Sequence, residues 1–522
     1  MADFLHLPLV RRHGAALTAA LVGSLIYALW LPPSNDFAVQ HFRSALFRKA
    51  PFAIWSNQWF GGHPTPAYSV LAPMIGSVVG AAVLGILAVL AGTLAGSLLL
   101  HALRRSEVSL VRPEVAGVVL AVGLLSSLYG GRTTFLSGAA LGMAALHAAV
   151  TRRRAATAAL ALAAALSSPV AGVFLATIGL AVLLSRALPA VVGASLVVAT
   201  MVPIVALTVL FYEPGNFPFP LGGTINLLLA TALVAAVGWR FLFLRWMCAG
   251  YASFVLLCFA VPNPVGGNVA RLAALAVPVV VVMAATWSAR WLAVALVPLM
   301  ALQWAPVSLA VRIDDAQTKP EFYRPLLEAL SAIPGPLRVE VVPVATHSEA
   351  DTVALEFPIA RGWNRQHDRL DNGLFYGDDL DAGAYLDWLN HMGVSMVAIA
   401  DTRLDEGGEL ERALLAAPPD YLHEIYHDDV WRLFEVLPRP SLVIGDARLV
   451  RLGITDFTVR ADVAGSSVVR VSFSPWFSVV EGDACIAAAA DDWTEVRVRT
   501  PGEVRISARL SWSNLFDRDG NC

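Results

Sequence analysis

Of the chain's 40 acidic residues, only Asp3, Asp36, Glu107, Glu114 and Glu213 fall within the first 311 positions. Those positions otherwise run through long apolar stretches, where a carboxylate is costly unless it is paired, placed at a boundary or put to use. A chain of this kind has few ways to fold its first half. In lipid the backbone must satisfy its own N–H and C=O groups, so a bundle of spanning helices is expected. The other 35 acids lie in residues 312–522, which read as a water-soluble region.

Charge follows the same division. The net charge of −3 averages a first half at +12 and a second half at −15. A hydrophobic content of 57% and a mean hydropathy of +0.63 exclude an ordinary soluble globule. Nucleic-acid binding is also excluded as a reading. The arginines form no basic face interleaved with aromatics, and the soluble part is acidic.

A spanning helix needs about 20 apolar residues. Apolar runs are read at roughly 13–31, 77–101, 114–130, 133–150, 155–167, 170–185, 188–211, 222–238, 246–262, 270–287 and 292–311, giving about eleven spans. The fifth and sixth are short and separated by Ser167, Ser168 and Pro169. They are read as a pair of short helices, with one kinked helix as the alternative. Arginine sets the expected orientation. With the N-terminus cytoplasmic, twelve of the 17 basic residues of this half fall on the inner side, and the acidic region lies outside. The first run is not expected to be a cleaved signal, since no small-residue cleavage site follows Leu31.

Three domains follow: 1–311 in the membrane, 312–438 as an extracytoplasmic α/β unit, and 439–522 as a β-sandwich. Residues 321–333 have helical amphipathicity. LRVEVVPVA, VALEFPIA and VSMVAIAD read as strands, and AYLDWLNHMG and ELERALLAA as helices. From about 440, short alternating strands such as FTVRADV, SVVRVSFS and WTEVRVRT predict the sandwich. Cys248 and Cys258 are expected to pack within a membrane run. Cys485 and Cys522 are placed to form a disulfide or to remain free near the terminus.

The candidate site begins at Asp36, which opens the loop after the first run. It precedes a segment, 37–49, with the spacing of a surface helix, where Asp36 could serve simply as an N-cap. His41, Trp55, Trp59 and His63 follow as candidate substrate contacts in a loop with no evident folding reason to hold them, although tryptophans also anchor membrane interfaces and the histidines could be ordinary interfacial residues. Arg132 and Arg271 sit at outer ends of apolar runs, against the inward bias of the other arginines. They bind an anion or snorkel toward headgroups. Glu213 is the other acid at that face, a second acid, metal ligand or substrate contact, or a solvated loop carboxylate. In the soluble region, Trp363, Asn372, Tyr376 and Trp388 could contact a glycan, or pack a core. The chain has no phosphate loop, no nucleophile elbow, no paired-histidine zinc motif and no C-x-x-C.

An Asp, then a His, then W…W…GG.P in the first outer loop resembles the GT-C class of polytopic glycosyltransferases, in particular bacterial YfhO-like and related branches. SSPVAG at 167–172, NVARLAALAVP at 268–278 and the run from RGWNRQHDRLDNG through GVSMVAIAD are similar to features of the same branches, as is FSPWFSVVEGDACIAAAADDW. The resemblance implies a polytopic GT-C-like domain and an enzyme that takes a sugar from a polyprenyl-phosphate donor at the outer leaflet. It implies Asp36 as general base, with Arg271 matching the class's late-helix arginine at the donor phosphate. The acceptor would be an envelope glycan or glycolipid. Some members carry two adjacent acids with a divalent metal. Here Asn35 and Phe37 flank Asp36, so a metal-independent mechanism without a cofactor is expected, although one carboxylate with histidines could hold an ion weakly. A transporter or lipid flippase, or a non-catalytic envelope scaffold, are the competing readings. Against transport, the runs carry almost no ionisable residues mid-membrane.

Overall fold

The computed structural model describes residues 8–310, 315–511 and 522. The chain divides into two compact units, Met1–Ser44 with Ala67–Arg312, and Ala45–Pro66 with Ile313–Cys522. The break inside the first loop differs from the division read from the sequence: residues 45–66 belong with the second unit.

The first unit is helical: α1 (Pro8–Trp30), the start of α2 (Phe37–Lys49), α3 (Leu71–Val79), α4 (Ala81–Ser106), α5 (Pro113–Tyr129), α6 (Thr133–Val150), α7 (Arg154–Ser167), α8 (Pro169–Ser185), α9 (Ala190–Leu210), α10 (Leu221–Val237), α11 (Leu242–Ala260), α12 (Ala270–Ala284) and α13 (Ala289–Ala310). Among the described residues, seven helices are long and apolar enough to cross a membrane; α5, α7, α8 and α10 are apolar but shorter. The helix α3 was not anticipated; it is a nine-residue element ending at Gly80, whose φ of 87° suits glycine.

The Ser167–Pro169 break resolves into two helices. Ser168 has extended backbone, its hydroxyl accepts from the Ala171 N–H, and Pro169 takes the first helical position. Ser69 and Val70 donate to the Ser167 and Leu166 carbonyls at the end of α7, satisfying groups the break leaves open. Glycines allow close helix packing: a Cβ at Gly142 would meet Leu175, and one at Gly179 the Gly193 carbonyl.

The second unit contains the hairpin β1 (Trp55–Ser56) and β2 (His63–Pro64), then α14 (Pro320–Ser331), β3 (Val339–Val341), α15 (Glu349–Thr352), α16 (Arg365–Asp371), α17 (Ala382–Met392), β4 (Met396–Ala400), α18 (Glu409–Leu415), β5 (Leu422–His427) and β6 (Trp431–Val436). Its sheet has the order β3-β4-β6-β5, with β3 parallel to β4 and the remaining pairs antiparallel. The segment 353–360, read as a strand, is instead a turn with a single bridge from Ile359 to Val339. Pro358 removes a ladder donor there.

The strands β7 (Val443–Ile444), β8 (Arg448–Leu452), β9 (Asp456–Ala461), β10 (Gly465–Ser472), β11 (Phe477–Glu481), β12 (Ala484–Ala488), β13 (Trp493–Val498) and β14 (Gly502–Ala508) form two sheets, β12-β13-β10-β7 and β11-β14-β9-β8. Their inner faces share a core including Phe457, Val459, Val471, Ile486, Val496 and Ile506. Cys485 and Cys522 are joined by a disulfide; Cys248 and Cys258 are buried free thiols.

Candidate functional site

Three sequence-separated charges meet in the first unit. The Nε of Arg132 donates to Asp36 Oδ2 at 3.0 Å, and Nη2 of Arg271 lies 3.6 Å from the same oxygen. All three side chains keep between 18% and 25% of their surface exposed. They form a part-buried ion triad, in which charges interact more strongly than in open water.

Local structure explains the convergence. Asp36 immediately precedes α2, and Arg132 immediately precedes α6. Between α5 and α6, Gly131 has a φ of 75°, and a Cβ on it would lie 2.5 Å from the Phe37 nitrogen and from Ser34 Oγ. Glycine is therefore required twice over, for the turn and for the approach to the start of α2. At Arg271 the chain enters α12 through a 3₁₀ turn at Gly266–Val269. Asn263 Oδ1 accepts from the Val265 and Gly266 amides, and the Phe217 amide donates to the Asn263 carbonyl. The Arg271 guanidinium lies 5.5 Å from the ring centre of Phe135 on α6.

A polar layer adjoins the triad. Gln40 Nε2 donates to the Tyr68 hydroxyl at 2.9 Å, and the Thr134 hydroxyl donates to Gln40 Oε1. Arg43, buried, lies 4.3 Å from the Tyr68 ring centre; burial pulls its guanidinium below the ordinary value, against the opposing field of Glu213. Burial is the main cause raising the Tyr68 phenol, which remains a neutral O–H group. Sequence reading missed Gln40, Arg43, Tyr68, Thr134 and Phe135. The available signal was spacing: Gln40 and Arg43 share one face of α2, and Asp36 lies one turn before Gln40.

The chain matches no family model and no curated protein. Among the described residues, no group of three or more His, Cys, Asp and Glu side chains is arranged to hold a metal ion.

The other sequence candidates lie elsewhere. His41 is exposed on α2 and stacks at 6.5 Å against Phe37. Trp55, Trp59 and His63 are buried in the second unit. Trp55 joins the sandwich core and packs edge-on against Phe477. The Trp59 indole donates to the Ala350 carbonyl and stacks on His63.

Asn372, Tyr376 and Trp388 belong to a buried network centred on Arg361. The Arg361 guanidinium grips Asp368 through Nε and Nη2, and its Nη1 donates to the Gly407 carbonyl. Tyr376 and Asn372 also donate to Asp368, and Trp388 donates to Asn372. Glu340 and Glu411, both fully buried, lie 3.7 and 3.6 Å from Arg361 Nη1. These aromatic and amide groups are thus engaged internally, whereas Trp363 is half-buried.

This network makes the second unit sensitive to alkali. Burial, reinforced by Glu411, raises Glu340 well above the carboxylate range; burial raises Glu411 to about 7 against the pull of Arg361. Nearby, burial opposes the charge on His347, but Asp405 and Glu349 raise it to about 9. Each folded-state value lies above its unfolded one, so the stability these protons confer is full below the unfolded value and disappears as pH rises through the folded one. Glu411 acts between about 4.5 and 7, and His347 between about 6.5 and 9. The second unit is expected to melt several degrees lower at pH 9 than at pH 5.5 by scanning fluorimetry of the full chain. His347→Gln should remove the upper part of that dependence.

Proposed function

We propose that this chain is an inverting glycosyltransferase that moves a sugar from a polyprenyl-phosphate donor to an envelope glycan or glycolipid acceptor, as its resemblance to the GT-C class implies. The observation that carries the reading is the meeting of Asp36 with Arg132 and Arg271 on one carboxylate oxygen. In this reading the four shorter apolar helices also cross, giving eleven spans. The N-terminus is cytoplasmic, and the second unit and Asp36 face the outer side of a plasma membrane.

The triad supplies what such a displacement needs. Both guanidinium contacts fall on Oδ2, which leaves Oδ1 to receive an acceptor hydroxyl. As the acceptor oxygen attacks the anomeric carbon, its proton passes to Asp36 and the bond from that carbon to the phosphate oxygen breaks. The electron pair leaves with the polyprenyl phosphate, and its growing charge is met by Arg132 and Arg271. A donor phosphate inserted between carboxylate and arginines would convert the resting ion triad into a working site. Gln40 and Tyr68 would hold the start of α2 and contact the sugar. The same ion pairs would also suit a structural clamp in a non-catalytic scaffold, and activity separates the two.

Purified protein incubated with a panel of radiolabelled polyprenyl-phosphate sugars and envelope extract is expected to transfer at least one sugar. Arg271→Gln should lower kcat by about 10²-fold, as for loss of one transition-state donor. A panel that yields no transfer and no donor hydrolysis above protein-free vesicles would overturn the reading.

A further inference from the structure

A second feature of the first unit lies at the far end of α12 from Arg271. The helix has 15 residues, so its ends are about 20 Å apart. At its C-terminal end, Arg240 donates to the carbonyls of Ala284 and Ser109, tying down the turn that joins α10 to α11. Beside that turn, α10 and α11 enclose an open groove with a volume of about 590 Å³.

The groove is apolar along its length and cationic at one end. Leu228 and Ala235 of α10 and Ala249 and Ala252 of α11 form its walls, with small side chains leaving the space. Trp239 and Arg245 close the turn end; the Arg245 guanidinium lies 5.2 Å from the Trp239 ring centre. Arg245 sits about 10 Å along α11 from Ala252. Both end residues are exposed, and Phe241 gives the N-terminus of α11 no side-chain cap. The first half of the chain offers only five acids against 17 basic residues, and among the described residues no ion pair engages Arg245. A slot that is hydrocarbon-like within and positive at its rim is complementary to one class of molecule.

We propose that this groove is a binding site for an anionic phospholipid of the leaflet reached by the α10–α11 turn. One acyl chain lies between α10 and α11, and the headgroup phosphate meets Arg245, with Trp239 at the headgroup level. The site is independent of Asp36 and of the transfer reaction.

Native mass spectrometry of the full chain, released from micelles holding equal phosphatidylglycerol and phosphatidylcholine, tests this. Phosphatidylglycerol should be retained over phosphatidylcholine by about fivefold, the order expected for one basic residue near a headgroup. Arg245→Gln should bring the ratio to about one, while Arg104→Gln, whose position lies outside the groove, should leave it unchanged. Ala249→Phe, which fills the groove, should reduce retention of both lipids; unchanged circular dichroism would show that each variant is folded. Equal retention of the two lipids by the unaltered chain overturns the proposal. So does a preference insensitive to Arg245→Gln, one lost equally in Arg104→Gln, or retention undiminished by Ala249→Phe.

Discussion

Asp36→Asn is expected to lower sugar transfer by about 10²- to 10⁴-fold, the range over which a positioned general base contributes. The substitution preserves shape, and its amide oxygen can still accept from Arg132, so the turn at Gly131 and the start of α2 should be retained. What disappears is the ability to take a proton from the acceptor. If Asp36 only anchored Arg132, then Arg132→Gln would cost as much as Asp36→Asn, and combining them would cost no more. For a base the two losses differ in kind. Azide, a nucleophile that needs no deprotonation, should restore donor cleavage to Asp36→Asn and leave Arg132→Gln impaired. Radiolabelled donor turnover with and without azide measures both. Transfer by Asp36→Asn at the unaltered rate would remove the carboxylate from the chemistry.

The triad was legible in the sequence because charge is conspicuous in an apolar background. Asp36, Arg132 and Arg271 stand out by sign and by position at the ends of runs, and the structure brings all three together. The polar layer was less legible. Gln40 and Tyr68 are ordinary loop and helix residues until Thr134 and Arg43 are placed beside them, and those contacts bridge separations that no local pattern encodes. In the soluble region the spacing of Asn372, Tyr376 and Trp388 was visible, but an exposed glycan platform and a buried hydrogen-bond network share that composition. Burial decides between them, and it depends on Arg361 and Glu411, which nothing local links to those residues. Helix boundaries followed the apolar runs closely because length and hydropathy suffice for them; spacing alone left Cys485 and Cys522 either paired or free, and the structure joins them.

The loop WSNQWFGGHP is the most instructive case, because its aromatic content was read as substrate binding and its structure assigns it to a core. The loop threads the second unit: the Asn57 amide donates to Ile454, its side chain donates to the Gly453 and Asp456 carbonyls, and the Ile359 amide donates to Gln58. Gly61 and Gly62 have φ of 75° and 125°, and a Cβ on Gly62 would lie 2.5 Å from the Trp55 ring. Trp59 is fully buried, and a Cβ on Gly362 would come within 2.7 Å of it, so the indole occupies a space fitted to it. Trp59→Ala is therefore expected to destabilise the second unit by about 3–5 kcal/mol, through the cavity and through the Ala350 carbonyl left without its indole donor. Val463→Ala, at an exposed position in the turn between β9 and β10, should change stability by less than about 0.5 kcal/mol. Urea titration of the full chain, followed by proteolytic susceptibility within residues 338–411, distinguishes the two variants. Protection unchanged in Trp59→Ala would mean that the first loop does not hold this unit together.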